Sequence, residues 1–172
     1  DTLSLHDALP ILDVFESAPN VGIFYPLQSF SKSKKLELNN VPFLITSNNF
    51  TFKEELKNLA RLLSDKVYEY TDEQRKHLHI AAVFVNNFAN HLFALAQDYC
   101  DLHHLDYQLL LPLIRETTNK IDALSPRDAQ TGPAKRKDQE VIEKHLELLH
   151  TEDEHLFRIY REMTDSILKM YQ

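Results

Sequence analysis

One apolar segment carries the polar side chains that are best spaced to do chemistry. It covers residues 77–91 and reads HLHIAAVFVNNFANH. In a helix that turns by about 100° per residue, His79, Asn86, Asn87 and Asn90 fall on one face, which we call the polar stripe. A histidine in a pocket can donate a proton near neutral pH, and amides can orient a substrate by hydrogen bonding.

The polar stripe is open to two interpretations. An amide or imidazole that is buried without a partner costs about 1–3 kcal/mol, so all four side chains need hydrogen-bond partners. Either neighbouring helices supply them through a buried network, or the stripe lines a wet pocket. A single amide would fit both interpretations equally, but the four side chains together favour the pocket.

The loop over residues 130–138, which reads QTGPAKRKD, is the second candidate site. Thr131 and Gly132 lead into a helix through Pro133. Backbone N–H groups, a hydroxyl and the cationic side chain of Arg136 could therefore converge on an anion. The alternative is a capped turn exposed to solvent.

Metal and thiol chemistry have little support in the sequence. Glu152 and His155 have the spacing of a ferritin-like ligand pair, but no second pair with inward carboxylates accompanies them. We therefore expect no metal site. Cys100 is flanked by Asp98 and Asp101, whose negative charges disfavour a thiolate nucleophile.

Composition narrows the classes of partner. A formal net charge of −7 would repel nucleic-acid phosphates. The longest unbroken apolar runs fall far short of the roughly 20 residues that a membrane span needs. A single cysteine and the lack of a signal peptide favour a reducing cytoplasm. We therefore expect a cytoplasmic protein that binds neither nucleic acid nor membrane.

The glycine count bears on cofactor binding. Gly22 and Gly132 are the only glycines in the chain. Phosphate-cradling loops such as G-x-G-x-x-G need several, so this chain is not expected to hold a dinucleotide by itself. Residues 1–11, DTLSLHDALPI, resemble translated adapter read-through and are expected to be a non-native leader, with the native protein extending upstream.

Hydrophobic periodicity predicts the elements that position these residues. Short apolar runs predict strands, and longer runs with a helical period predict helices. The strands are expected at 21–26, 42–47 and 66–70, and the helices at 51–64, 72–101, 106–124, 138–150 and 152–171, with Asp72 as the N-cap of the second helix. That second helix is apolar almost all round, which predicts burial. Residues 125–137 are expected to form a loop.

Four motifs in this order resemble one family. They are FYPLQSFS at 24–31, the run QR-x-x-LH-x-AAVF-x-NNF-x-NH at 74–91, PLI-x-ET at 112–117 and QTGP-x-x-R-x-D at 130–138. Together with His145 they are similar to Rossmann-like oxidoreductases whose C-terminal part is the domain of unknown function twenty-five-twenty. The resemblance covers nearly all of residues 12–172.

The resemblance implies an N-terminal NADP- or NAD-binding Rossmann domain, upstream of this chain, and a helical domain like that of pyrroline-5-carboxylate reductase. The fold class expected is mainly α: a helical bundle of the 6-phosphogluconate dehydrogenase C-terminal type, preceded by the last strands of the Rossmann domain. The corresponding domains would be a leader at 1–11, a Rossmann remnant at 12–70 and a helical substrate and dimerisation domain at 71–172. Lys137 stands where the family pattern has glycine, and lysine resists conformations that glycine permits.

By the same resemblance, the motif positions become site residues of a reductase acting on an unknown carbonyl or imine. The catalytic candidates are His79, Asn87 and Thr131. The candidates for substrate binding are Asn86, Asn90, Thr117, Gly132, Arg136 and Asp138, with Arg136 meeting a carboxylate. The candidates for cofactor contact are Tyr25, Pro26 and Gln28.

Two other functions remain open on the sequence. In one, the helical part is an interaction module that forms a homodimer, with the polar stripe as a buried interface network. In the other, it binds a small molecule without catalysis.

Overall fold

The computed structural model describes residue 12, residues 18–30 and residues 37–172. The expected leader over residues 1–11 lies outside these. The described chain is mainly helical with one small sheet, which confirms the predicted fold class. Its contacts divide it into two compact units, Asp1–His91 and Leu92–Gln172. This division falls inside the long helix, whereas the predicted boundary precedes that helix, and the domain assignment stays a prediction.

The first unit contains a three-stranded sheet. Strands β1 (Gly22–Pro26) and β2 (Phe43–Ser47) are antiparallel, while β2 and β3 (Val67–Glu69) are parallel and connected by helix α1 (Phe50–Arg61). All three strands and α1 lie within two to three residues of their predicted bounds. β-branched and aromatic residues form the strands because they pack well on a pleated surface.

The core of the first unit lies between the sheet and α1. Phe43 and Ile45 point from β2 towards Ala60 of α1, and all three are almost completely buried. Full burial of a side chain such as isoleucine contributes about 1.5–3 kcal/mol. Gly22 allows α1 to approach β1, because a Cβ at this position would collide with Leu56.

A continuous helical stretch follows, and its first turn differs from the prediction. It consists of α2 (Asp72–Ala82), a π-helical segment (Val83–Phe88) and α3 (Ala89–Leu102). The N-cap is Thr71 rather than Asp72: the Thr71 hydroxyl accepts from the Gln74 N–H, and the Gln74 side chain accepts from the Thr71 N–H. This reciprocal capping box satisfies two donors and leaves Asp72 for another partner.

The predicted burial of the long helix is wrong for this chain. Phe84 is 63% exposed and Val85 is 78% exposed, and Ile80 and Phe88 are also exposed. A helix with apolar residues on all sides is buried only when other elements or another molecule pack against each of its faces. The apolar face of this helix is therefore available to a further surface.

By length and composition, the stretch from Asp72 to Leu102 could also cross a membrane. It has 31 residues and contains an 18-residue window of mean hydropathy 1.3. The unbroken apolar runs of the sequence are too short to predict such a span. One such helix is weak support for a membrane protein, because apolar helices that pack against protein have the same composition.

The second unit is built from the C-terminal part of α3 and the helices that follow it. A 3₁₀ turn (Tyr107–Leu110) leads into α4 (Leu111–Lys120), and the predicted loop contains the one-turn helices α5 (Pro126–Ala129) and α6 (Pro133–Arg136). The last two helices, α7 (Gln139–Glu152) and α8 (Glu154–Met170), form a hairpin. Asp153 joins them: it ends α7, and its side chain accepts hydrogen bonds from the first N–H groups of α8.

Candidate functional site

In the first unit, the structure brings together two residues that the sequence placed in different roles. Tyr25 lies on β1 and His79 on α2, and the Tyr25 hydroxyl is 3.2 Å from His79 Nδ1. Burial raises the pKa of Tyr25, against a smaller lowering by the positive charge of Arg75. The phenol therefore keeps its proton at neutral pH and can donate it in a hydrogen bond to the imidazole.

Beside this pair lies an arginine that was not predicted to be a site residue. Arg75 is only 1% exposed. Its guanidinium donates to the Thr46 hydroxyl at 2.9 Å and to the Asp72 carboxylate at 3.0 Å. The spacing of Asp72 and Arg75, three residues apart on a helix, was the available signal, but such pairs are usually exposed. Burial of the guanidinium fixes this ion pair at the start of α2.

The other members of the polar stripe are exposed. Asn86 and Asn87 lie in the π-helical segment and Asn90 follows it, and all three are on the surface of this chain. Water can therefore satisfy these three amides, and they do not need buried hydrogen-bond partners. The π-helical segment also departs from the rotation of about 100° per residue that placed the stripe on one face. Segments of this kind occur frequently at functional sites.

The remaining cofactor candidates lie at the end of β1. Pro26 ends the strand, and the side chain of Gln28 accepts a hydrogen bond from the Ser29 N–H at 2.9 Å. Tyr25 is thus the one of the three that contacts the polar stripe.

The second unit contains a cavity of about 630 Å³. It lies between α3, α6, α7 and α8, and most of its lining is aliphatic. Its polar lining includes Thr131, His145, Tyr160 and Thr164, and Gly132 also lies on its wall. Two residues of the predicted loop site, Thr131 and Gly132, therefore belong to this cavity.

A hydrogen-bonded pair of polar side chains crosses from α7 to α8 at the cavity. His145 Nδ1 is 2.8 Å from the Tyr160 hydroxyl, and the rings meet edge to face. Burial raises the pKa of Tyr160, and a hydrogen bond from the Thr164 hydroxyl opposes this to a smaller extent. Tyr160 was not predicted; its helical spacing from Leu156 and Met163 made it look like an ordinary core residue.

The other predicted substrate residues of this unit do not line the cavity. Arg136 is 65% exposed in its side chain and lies 4.0 Å from the Asp138 carboxylate. Asp138 is the N-cap of α7, where it accepts from the Val141 N–H. The Thr117 hydroxyl donates to a backbone carbonyl within α4. Thr117 and Asp138 thus have local structural partners.

The loop over residues 130–138 has a positive φ at two positions, one occupied by glycine and one by lysine. Gly132 has a φ of 104°, and Lys137 adopts the left-handed conformation with a φ of 58°. The loop thus follows at Lys137 a backbone that glycine adopts freely. The lysine therefore carries strain at this point.

A further polar cluster connects α3 with the end of α7. The Tyr99 hydroxyl donates to the Glu152 carboxylate at 3.0 Å, and His103 Nε2 lies 3.3 Å from the same oxygen. Glu152, one of the two ligands weighed for a metal, thus has protein partners. In the described part of the chain, no group of three or more His, Cys, Asp or Glu side chains is arranged to hold a metal ion.

Comparisons with known proteins identify the relatives of this chain. Residues 41–167 match the family described as a domain of unknown function, DUF2520. A proposed NADP oxidoreductase from Bacteroides fragilis has a similar structure, with a TM-score of 0.89 and 40% identity over 94% of this chain and 62% of its own. A protein from Thermotoga maritima has a TM-score of 0.77 and 21% identity over 95% of this chain and 66% of its own. No curated protein matches the sequence.

The chain spans about two thirds or less of the length of these two solved structures. At 21% identity, the likeness to the Thermotoga maritima protein concerns the fold alone.

Proposed function

Because the chain belongs to the DUF2520 family, we propose that it is the substrate-binding and dimerisation part of an NADP- or NAD-dependent oxidoreductase that acts on a carbonyl or imine. The likeness to the proposed NADP oxidoreductase of Bacteroides fragilis supports the class of reaction and the cofactor. Since this chain spans 62% of that relative, we assign dinucleotide binding mainly to a domain outside this chain. A cytoplasmic location is part of the same proposal.

The positions of the two glycines support the assignment of dinucleotide binding to another domain. Gly22 is used for the close packing of β1 against α1, and Gly132 precedes the one-turn helix α6. Neither belongs to a glycine-rich turn, so the residues present do not fit a dinucleotide pyrophosphate. Tyr25, Pro26 and Gln28 remain candidates for contact with the cofactor from this side.

The observation that carries the proposal is the hydrogen bond between Tyr25 and His79. A phenol that donates to Nδ1 leaves the imidazole proton on Nε2, so His79 would present Nε2–H to a substrate oxygen or nitrogen. Tyr25 would set the tautomer, and Arg75 would hold the start of α2 against β2. In this proposal Asn87 and Asn90 orient the substrate.

The proposal is tested in the full-length parent protein with His79→Ala. We expect NADPH affinity to be retained and turnover of a panel of small ketones and imines to fall by about 10²–10⁴, the usual contribution of general acid catalysis. His77→Ala is the matched control, because His77 lies two residues away with its side chain 76% exposed. Unchanged turnover in His79→Ala would remove this histidine from the mechanism and favour a helical module without catalysis.

A homodimer through the helical part is the second proposal. The exposed apolar side chains of the long helix, Ile80, Phe84, Val85 and Phe88, support it, because an apolar face of this kind usually marks an interaction surface. Reductases of the related fold pair through such helices, so dimerisation and catalysis are compatible in one protein.

A further inference from the structure

The cavity of the second unit has the size and surface of a small-molecule site. Its volume of about 630 Å³ lies within the range of roughly 300–1,000 Å³ that is usual for ligand pockets. Aliphatic side chains from three helices form most of its wall, among them Leu95, Leu156, Ile159 and Ile167. Transfer of an apolar ligand from water into this cavity would therefore lower the free energy.

The polar groups of the cavity are few and close together. The hydroxyl of Thr164, which is 7% exposed, and that of Tyr160 both belong to the lining, and His145 Nδ1 lies 2.8 Å from the Tyr160 oxygen. When His145 carries its proton on Nδ1, it can donate to this oxygen. The phenol proton of Tyr160 is then left for an acceptor in the cavity.

The lack of acidic side chains, lysine and arginine in the lining indicates which ligand charge the cavity accepts. Among the described residues that line the cavity, none is Asp, Glu, Lys or Arg. Moving a carboxylate or phosphate into such a site would cost much more than moving a neutral oxygen, because no lysine or arginine lines it and His145 Nδ1 is engaged with the Tyr160 hydroxyl. The cavity therefore selects against anions.

We propose that this cavity binds an uncharged, mainly hydrocarbon small molecule whose oxygen accepts a hydrogen bond from Tyr160. A ketone with a long alkyl chain has this chemistry. The cavity includes Thr131 and Gly132, which the sequence placed among the candidate site residues, but neither Tyr25 nor His79 lines it, and binding here requires no dinucleotide.

The test uses the whole chain with ¹³C-labelled methyl groups, titrated with 2-decanone and, separately, with decanoate. The ketone is expected to move the methyl resonances of Leu156, Ile159 and Ile167. Ile45, in the core of the first unit, should stay unchanged. Decanoate has a chain of similar length and should bind at least about tenfold more weakly, because its charge is not compensated.

Tyr160→Phe tests the hydrogen bond itself. It should weaken 2-decanone binding about threefold to tenfold, the range that one hydrogen bond supplies. Tyr68→Phe, at an exposed position of β3, is the matched control and should bind like the unchanged chain.

Several results would overturn the proposal. They are cavity methyls that do not respond to the ketone, decanoate that binds as tightly as the ketone, and a Tyr160→Phe variant that binds with unchanged affinity. Methyl shifts that follow protein dilution without any ligand would instead show that a second copy of the chain fills the cavity. The comparison of ketone and carboxylate needs no variant, so it stands even if Tyr160→Phe fails to fold.

Discussion

Near the start of α2, side chains that stabilise the fold lie next to the side chains proposed to do chemistry. Arg75 is a buried cation that ties α2 to β2, and it lies next to the Tyr25–His79 pair. Removing one partner of a buried ion pair typically costs about 3–5 kcal/mol, so Arg75 and Asp72 cannot be changed without affecting the fold. Substitutions at His79 are cleaner tests of chemistry, because its described contact is a single hydrogen bond.

Lys137 is the residue for which sequence and backbone disagree. Its left-handed conformation costs a residue with a side chain about 1 kcal/mol, whereas glycine adopts it freely. We expect Lys137→Gly to raise the thermal midpoint by roughly 2–4 °C, a shift usual for about 1 kcal/mol in a domain of this size. Calorimetric unfolding measures this shift.

Lys137→Ala is the control for that prediction. It removes the same charge and the same side chain but keeps the Cβ that causes the strain, so it should leave the midpoint near that of the unchanged chain. If alanine stabilised as much as glycine, backbone strain would not be the cause.

At the scale of elements, side chains connect α1 to the edge strand β3. Lys53 and Lys57 of α1 lie 2.8 Å and 2.6 Å from the two carboxylate oxygens of Glu69. The hydrogen bond from Lys53, followed by that from Lys57, lowers the pKa of Glu69 from 4.5 to about 2. Because the group is largely exposed, solvent screens much of its contribution to stability.

This lowered pKa predicts a pH dependence of stability. A carboxylate with a depressed pKa in the folded state stabilises the fold above its ordinary pKa and loses that contribution as the pH falls through the folded value. The free energy of unfolding should therefore decline between pH 4.5 and about 2, and less steeply in Glu69→Gln. Urea unfolding at a series of pH values measures this.

Glu55→Gln, at an exposed position of α1, controls for the loss of one negative charge. If both variants showed the same slope in that pH window, the link between α1 and β3 would not be responsible.

For the molecule as a whole, the exposed apolar face of the long helix has no packing partner within the described part of the chain. Phe84 and Phe88 stack edge to face at 5.1 Å on its surface. A stable dimer commonly buries about 1,200–2,000 Å², and aromatic side chains supply much of the binding energy. We expect the chain to sediment as a dimer and Phe84→Glu to sediment as a monomer.

Lys76→Gln is the matched control, since it changes the net charge by the same one unit at an exposed polar position of the same helix. It should remain dimeric. A monomeric unchanged chain, or a dimeric Phe84→Glu, would argue against this face as the interface.

The sequence by itself determined the elements and the motifs. Strands and helices depend on local spacing, so their bounds were predictable to within a few residues. The one predicted N-cap, Asp72, was one residue off. The scarcity of glycine led us to expect no phosphate loop. The order of these elements indicated a few strands followed by helices, and the family resemblance implied the specific fold class.

Only the tertiary structure decided which residues meet and which are covered. Tyr25 and His79 are 54 positions apart, and no local pattern indicates that they share a hydrogen bond. The burial of Arg75, the exposure of the long helix and the joining of His145 to Tyr160 likewise depend on how elements pack. Hydrophobic periodicity shows which side of a helix is apolar, but not what covers that side, because cover comes from residues distant in the chain or from another molecule.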